Sequence, residues 1–184
     1  MRLTCVARAV EKKGLRTLIA ALAMLPASLA LELHHIGGGP LLDELKALAL
    51  RSGVAGKITW HAAQTHAQVM AALDASDLFV LPANIAGDGD RDGIPNAILE
   101  AQGRGVPVVA CAAGGVGEVV DDRKTGRLVP AGNAQGLAAA LAELIASPEK
   151  RAMLGAAGYA QVRDRFDPES GYDRIAELLR ERTG

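Results

Sequence analysis

Short apolar runs recur along this chain, and the intervals between them carry helical spacing. Runs at 3–6, 30–36, 58–60, 78–81 and 107–110, with a shorter one at 127–129, lack strict alternation of apolar and polar residues. Such runs read as strands buried on both faces. Apolar positions three and four apart predict helices near 15–25, 40–52, 65–75 and 95–104. This alternation predicts an α/β fold, a Rossmann-like parallel sheet with helices on both faces. From Ala134 onward only helical patterning remains, at 134–147, 149–163 and 168–182. Pro148 and Pro168 mark the last two starts, as first-turn prolines do. No repeat or low-complexity linker interrupts the chain, so residues 1–184 are expected to form one domain.

In open parallel sheets ligands bind beyond the carboxyl ends of the strands. There the chain carries "ARAVEKKG", "GGGP", "HAAQTH", "PANIAGDGDRDGIP" and "CAAGGVGE" in turn. Most glycines and unusual charges therefore fall on one edge of the predicted sheet.

Composition narrows the function classes. The hydrophobic fraction is 49%, the charged fraction 22% and the net charge −1, which argues against a general nucleic-acid or membrane surface. Only 3% of residues are aromatic, too few for base-stacking platforms. Cys5 and Cys111 each follow an apolar run and read as reduced thiols of a cytoplasmic protein. The segment "KKGLRTLIAALAMLPASLALEL" imitates a secretory signal, but a strand-like run precedes it, and its apolar part contains Pro26 and is too short to span a bilayer. It reads as a core helix followed by a strand.

Each candidate motif has a plain structural reading beside the functional one. "IGGGPLLDEL" is a strand, a glycine turn and a helix, either a tight structural turn or a close backbone approach to a ligand. In "RAVEKKG", Arg8 and Lys13 are a solvated basic loop or a pair that neutralises a diphosphate, Arg as a fork of donors and Lys as a point charge. His34 and His35 are adjacent and point to opposite faces, and His61 and His66 are five apart, so the histidines give no metal-ligand spacing. Asp88, Asp90, Asp92 and Gly93 fit the first positions of a calcium loop, but position 12 falls on Leu99, Pro95 interrupts the loop and a strand precedes it.

The other reading of "DGDRDGIPNAILEAQG" makes Pro95 the first helical residue. Gly93, Ile94 and Asn96 then offer backbone N–H groups to phosphate, while Asp92 and Glu100 accept from hydroxyls. Diphosphate and hydroxyl contacts together describe a nucleotide-sugar.

Over nearly all of its length the chain resembles the C-terminal, nucleotide-sugar-binding domain of a GT-B-fold retaining glycosyltransferase of family 4, the glycosyl transferases group 1. The resemblance is carried by "VARAVEKKG", "LHHIGGGPL", "ITWHAAQTH", "ASDLFVLPA", "DGIPNAILEAQGRGVPVVA", "AGGVGEVVDDRKTGRLVPAGN" and the helical tail, in that order. It implies one half of a GT-B fold, with an N-terminal acceptor-binding domain absent from this chain. The family's paired acids correspond to Asp92 and Glu100, Asp92 on the donor sugar and Glu100 on the ribose. Arg8 and Lys13 match the diphosphate grip and join Asp92 as implied catalytic groups. Gly93, Ile94, Pro95 and Asn96 match the loop that meets phosphate and sugar, and Trp60 and His61 the base site. Glu118 matches a site-edge or structural acid and is taken as structural.

Four residues depart from the family pattern. Asp92 stands where Glu is usual, Ala7 and Ala62 stand for glycines, and Gly117 for a proline. The implied activity is hexosyl transfer from a UDP- or GDP-hexose to an acceptor hydroxyl in polysaccharide or glycolipid synthesis. It needs no metal or other cofactor, and the whole enzyme would touch a membrane peripherally. The alternatives are a nucleotide-sugar-binding module inactive alone, half of a GT-B-type sugar-nucleotide epimerase, and a calcium-binding module.

Overall fold

A computed structural model describes residues 1–166. Its six strands are β1 (Arg2–Val6), β2 (Glu32–Ile36), β3 (Ile58–His61), β4 (Leu78–Leu81), β5 (Val108–Ala112) and β6 (Arg127–Pro130). They form one sheet in the order β3-β2-β1-β4-β5-β6, and every pairing is parallel. The helices are α1 (Leu15–Met24), α2 (Leu42–Arg51), α3 (His66–Asp74), α4 (Asn96–Gln102), α5 (Ala134–Ala146) and α6 (Pro148–Arg165). α1 packs on α2 and α5, α4 packs on β4, β5 and α6, and α3 packs on β1. Right-handed crossovers put the first set and the second on opposite faces of the sheet.

The apolar runs are strands because both of their faces are covered. Leu78, Phe79, Val80 and Leu81 in the middle of the sheet are all fully buried. The long apolar segment that imitates a signal is α1, whose Leu15, Leu18, Ile19 and Leu22 enter the core, followed by β2. Among the described residues no helix is long and apolar enough to cross a membrane. The helical tail begins as Pro148 and the apolar spacing indicate, with Ser147 capping α6 and Pro148 in its first turn. The helix expected at 168–182 lies outside the described residues.

Most expected boundaries move by one or two residues, and two of the shifts have a clear cause. The strand expected from residue 107 begins at Val108, because Pro107 has no N–H to give the ladder, although its carbonyl accepts from Phe79 N at 2.9 Å. The helix expected from Pro95 begins at Asn96. Pro95 is its N-cap, extended at φ −74° and ψ 115°. At the other end of α4, fully buried Gln102 donates from Nε2 to the carbonyls of Val119 at 3.0 Å and Thr125 at 3.2 Å. These bonds anchor α4 to the β5–β6 connection, so the loop before α4 hangs from a fixed helix.

Cys5 and Cys111 are free and buried, and burial pushes their thiols up to about 12 and about 11. His35 is also buried, between its strand partners Cys5 and Trp60, and neither ring nitrogen has a hydrogen-bond partner among the described residues. Burial lowers its pKa from 6.5 to about 4. The neutral ring is the folded form, so its contribution is complete above the unfolded value and is lost as pH falls from 6.5 toward about 4. The loss reaches roughly 3 kcal/mol by the usual conversion of a pKa shift. Urea unfolding at pH values spanning that window should show this slope in the wild type and a flatter one in His35→Leu.

Candidate functional site

β1 and β4 are neighbours, yet the chain leaves them toward opposite edges of the sheet, which opens a crevice at their carboxyl ends. The loop after β1 first runs alongside the glycine turn after β2, with Ala7 N donating to Ile36 O at 3.0 Å and Ala9 N to Gly38 O at 2.8 Å. Gly37 and Gly39 sit at φ +144° and +147°, and a Cβ there would come within 2.1 Å of Ala7 O and 2.6 Å of Ala9 O. Of the two readings of "GGG", the structural one accounts for these two glycines. The loop then makes a single 3-10 turn at Glu11–Lys13, which brings Lys12 and Lys13 to the crevice. Arg8 lies at its mouth, exposed and without an ion pair or hydrogen bond among the described residues.

The loop after β4 brings the acids. Lys13 Nζ donates to Asp92 Oδ2 at 2.5 Å, and Lys12 Nζ lies 3.1 Å from Asp90 Oδ1 and 3.6 Å from Asp92 Oδ1. The hydrogen bond to Asp90 is the main cause that raises the Lys12 pKa. Asp92 is held from behind by the "GG" after β5, where Gly115 N donates to Asp92 O at 3.3 Å and Gly93 O at 3.1 Å. Gly114 is left-handed at φ +57°, and a Cβ there would meet Asp92 O at 1.9 Å. The amides of Gly93, Ile94 and Asn96 have no acceptor among the described residues. With Pro95 as N-cap and α4 only seven residues long, these amides act as individual donors rather than as the end of a long dipole.

The cleft so formed has a volume of about 450 Å³, and its polar lining includes Arg8, Lys12, Lys13, Gln64 and Asp92. A cleft of similar size, about 420 Å³, opens beside α1 but lacks the lysines and Asp92. Of the predicted site residues Arg8, Lys13 and Asp92 line the 450 Å³ cleft; Gly93, Ile94, Pro95 and Asn96 continue the chain beyond Asp92 without lining it, and Glu100, His61 and Trp60 stand further apart. Glu100 is half-buried on α4 with Oε1 3.7 Å from His66 Nδ1. His61 lines an adjoining pocket of about 270 Å³. Trp60 points to the opposite face, its ring 5.1 Å from that of His35, so only its main chain is available near His61. Glu118 is exposed in the 3-10 turn Gly114–Glu118, where no ion pair or hydrogen bond of its side chain occurs among the described residues; the structural role expected of it is not what the geometry shows.

Sequence reasoning missed Lys12 and the Asp90 contact, because a 3-10 turn places two consecutive lysines on one rim where a longer loop would separate them. It also missed Gln64, which carried no motif. Among the described residues no three His, Cys, Asp or Glu side chains gather as a cation cage. Asp92 is turned to Lys13 rather than toward Asp88.

A six-stranded parallel sheet in this order, with cations and an acid at its switch point, defines a Rossmann-like α/β domain. Residues 2–161 match the model of the glycosyl transferases group 1, and the chain belongs to that family. The amylovoran biosynthesis glycosyltransferase AmsK of Erwinia amylovora is 33% identical over 97% of this chain and 44% of its own length. A Mycobacterium tuberculosis protein named GDP-mannose-dependent α-(1-6)-phosphatidylinositol monomannoside mannosyltransferase is 33% identical over 96% of this chain and 46% of its own. The solved structure of Anabaena Alr3699/HepE in complex with UDP superposes with a TM-score of 0.85 at 26% identity, over 98% of this chain and 48% of that one. The chain thus spans about half the length of the relatives it matches.

Proposed function

We propose that this chain is the C-terminal, donor-binding domain of a retaining glycosyltransferase that takes a UDP- or GDP-hexose. The observation that carries the reading is the Lys13–Asp92 pair in the switch-point cleft, flanked by Arg8 and by the unpaired amides of Gly93 and Ile94. A diphosphate needs several positive or N–H groups converging from different directions, and the cleft supplies them without a divalent ion. Arg8 and Lys13 hold the diphosphate and stabilise its charge as the bond to the sugar breaks. Lys13 must then exchange Asp92 for phosphate, which frees the Asp92 carboxylate for the sugar. Gly93, Ile94 and Asn96 donate to phosphate or sugar, Pro95 sets their direction, and Glu100 accepts from the ribose. His61 and the main chain of Trp60 lie toward the base.

Residues 1–184 form one donor-binding domain in this reading, and the acceptor is held by residues outside it. The match to about half of each relative favours a chain that binds the donor but needs the other half for turnover. The names of the relatives favour an acceptor of the polysaccharide or glycolipid class, and a cytoplasmic site of action with peripheral membrane contact of the whole enzyme completes the reading. HepE was solved with UDP and the mycobacterial relative is named for GDP-mannose, so both bases remain candidates. A thermal-shift panel of UDP, GDP, ADP and TDP tests the reading, since a ligand that binds only the folded state raises Tm. UDP or GDP should give the largest shift, and no shift with any of the four would overturn it.

A further inference from the structure

On the β2–β3 side of the sheet, side chains form a connected polar line that the reading above does not use. His34 Nδ1 lies 3.0 Å from His61 Nε2, and the two ring planes are within 13° of each other with centroids 5.3 Å apart, as an in-plane hydrogen bond requires. Glu32 Oε2 stands 3.2 Å from His34 Nε2. It lies off the hydrogen-bonding direction, so this buried nitrogen has no well-aligned partner. Thr59 fixes the carboxylate by donating to Glu32 Oε1 at 2.7 Å. Register explains the line: His34 pairs with Thr59 and Ile36 with His61, so all four polar residues project from one face.

The line selects one arrangement of protons. The Thr59 hydrogen bond, with His34 nearby, holds Glu32 below the usual carboxylate range, so it is ionised near neutral pH. An ionised carboxylate oxygen 3.2 Å away favours the positive end of an N–H over a bare, electron-rich nitrogen even off the hydrogen-bonding axis, so His34 carries its proton on Nε2. Nδ1 of the neutral ring is then an acceptor, and His61 must donate to it from Nε2. A neutral imidazole has a single N–H, which leaves His61 Nδ1 as a bare acceptor. His61 lines a pocket that shares Ile36 and Gln64 with the cation-lined cleft, so the crevice continues from the lysines to this ring.

We propose that Glu32 and His34 are positioning residues that fix His61 as a hydrogen-bond acceptor for an N–H or O–H donor on the nucleoside part of a bound nucleoside diphosphate. The ligand half of this proposal rests on the donor-binding reading. A base N–H and a ribose hydroxyl share the required chemistry, and methylated and deoxy analogues tell them apart.

The test has a ligand-free arm and a ligand arm. Nitrogen-15 NMR of the free protein at mildly alkaline pH should show His61 protonated on Nε2, and a mixture of tautomers in Glu32→Gln and His34→Leu. Glu32 is exposed, so Glu32→Gln keeps the arm interpretable if the buried change unfolds the protein. A His61 protonated on Nδ1, or one indifferent to Glu32→Gln, overturns the proposal. In calorimetry with UDP and GDP, Glu32→Gln should weaken the tighter ligand up to about tenfold, or about 1.4 kcal/mol. It should have no further effect in a His61→Ala background, and an equal loss there overturns the proposal. The Glu32→Gln loss should vanish either with the base N-methylated analogue of the tighter ligand or with its 2′-deoxy form, and persistence in both overturns it. Inorganic pyrophosphate should bind wild type and Glu32→Gln alike. If pyrophosphate, UDP and GDP all fail to bind the wild type, the donor-binding reading falls, and the ligand half of this proposal with it.

Discussion

Alanine at both Arg8 and Lys13 should weaken binding of UDP or GDP about a thousandfold. Each side chain is expected to give at least one charge-assisted hydrogen bond to phosphate, worth about 1.5–3 kcal/mol, so each single change costs roughly tenfold to a hundredfold. Lys13→Ala should be the more damaging. Lys13 is the nearer of the two lysines to Asp92, at 2.5 Å against 3.6 Å for Lys12, so its loss leaves the carboxylate to repel the incoming phosphate. Arg8→Lys should recover little, because an ammonium cannot replace the planar fork. Calorimetry of the two single variants and the double variant decides the matter. Wild-type affinity in both single variants would remove these residues from the site.

The second large effect is expected far from any ligand contact. At Gly114 an alanine would adopt a left-handed conformation at φ +57° and drive its Cβ to 1.9 Å from Asp92 O, a backbone atom that cannot swing aside. Left-handed strain and overpacking together cost roughly 3–5 kcal/mol. In a domain of this size that is a fall in Tm of roughly 10 °C. Whatever displacement relieves the clash moves Asp92 and the amides of Gly93 and Ile94, so nucleotide affinity should fall with stability. Gly117 in the same 3-10 turn has no atom within 4 Å of an added Cβ and an ordinary φ, so Gly117→Ala should leave both unchanged. Thermal melts and calorimetry on the two variants test the pair, and matching behaviour would show that Asp92 is not held by this contact.

The strands were legible because a parallel strand covered on both faces must be apolar along its whole length, as in Leu78–Leu81. Order and spacing of the loops then located the crevice, and Arg8, Lys13 and Asp92 do line it together. What the sequence hid was mostly contact between distant segments. Nothing local to Gly114 announces Asp92, and nothing in "LHHI" announces a hydrogen bond to His61 twenty-seven residues away. The helix start at Pro95 was misplaced by one residue because proline fixes φ but leaves ψ to the surroundings. Here ψ is 115°, which keeps the residue extended and turns it into a cap. Trp60 and His61 were grouped by resemblance to the family's base site, and the pleat sends their two side chains to opposite faces, which leaves Trp60 its main chain for such a role. Asp92, which by resemblance stands where a glutamate is usual, reaches Lys13 at 2.5 Å, and the loop of Gly114 and Gly115 sets where its main chain is held.

On the donor-binding reading, Lys12 and Lys13 are already neutralised by Asp90 and Asp92 before the ligand arrives. These internal pairs leave the cleft little net field in solvent, and long-range attraction then contributes little to the encounter rate. In that reading Arg8, which has no ion pair among the described residues, makes the first contact, and the lysines then exchange carboxylate for phosphate. Selectivity then resides in the dwell time of the complex rather than in the speed of its formation, since a weakly charged ligand that wanders in cannot break the internal pairs and leaves.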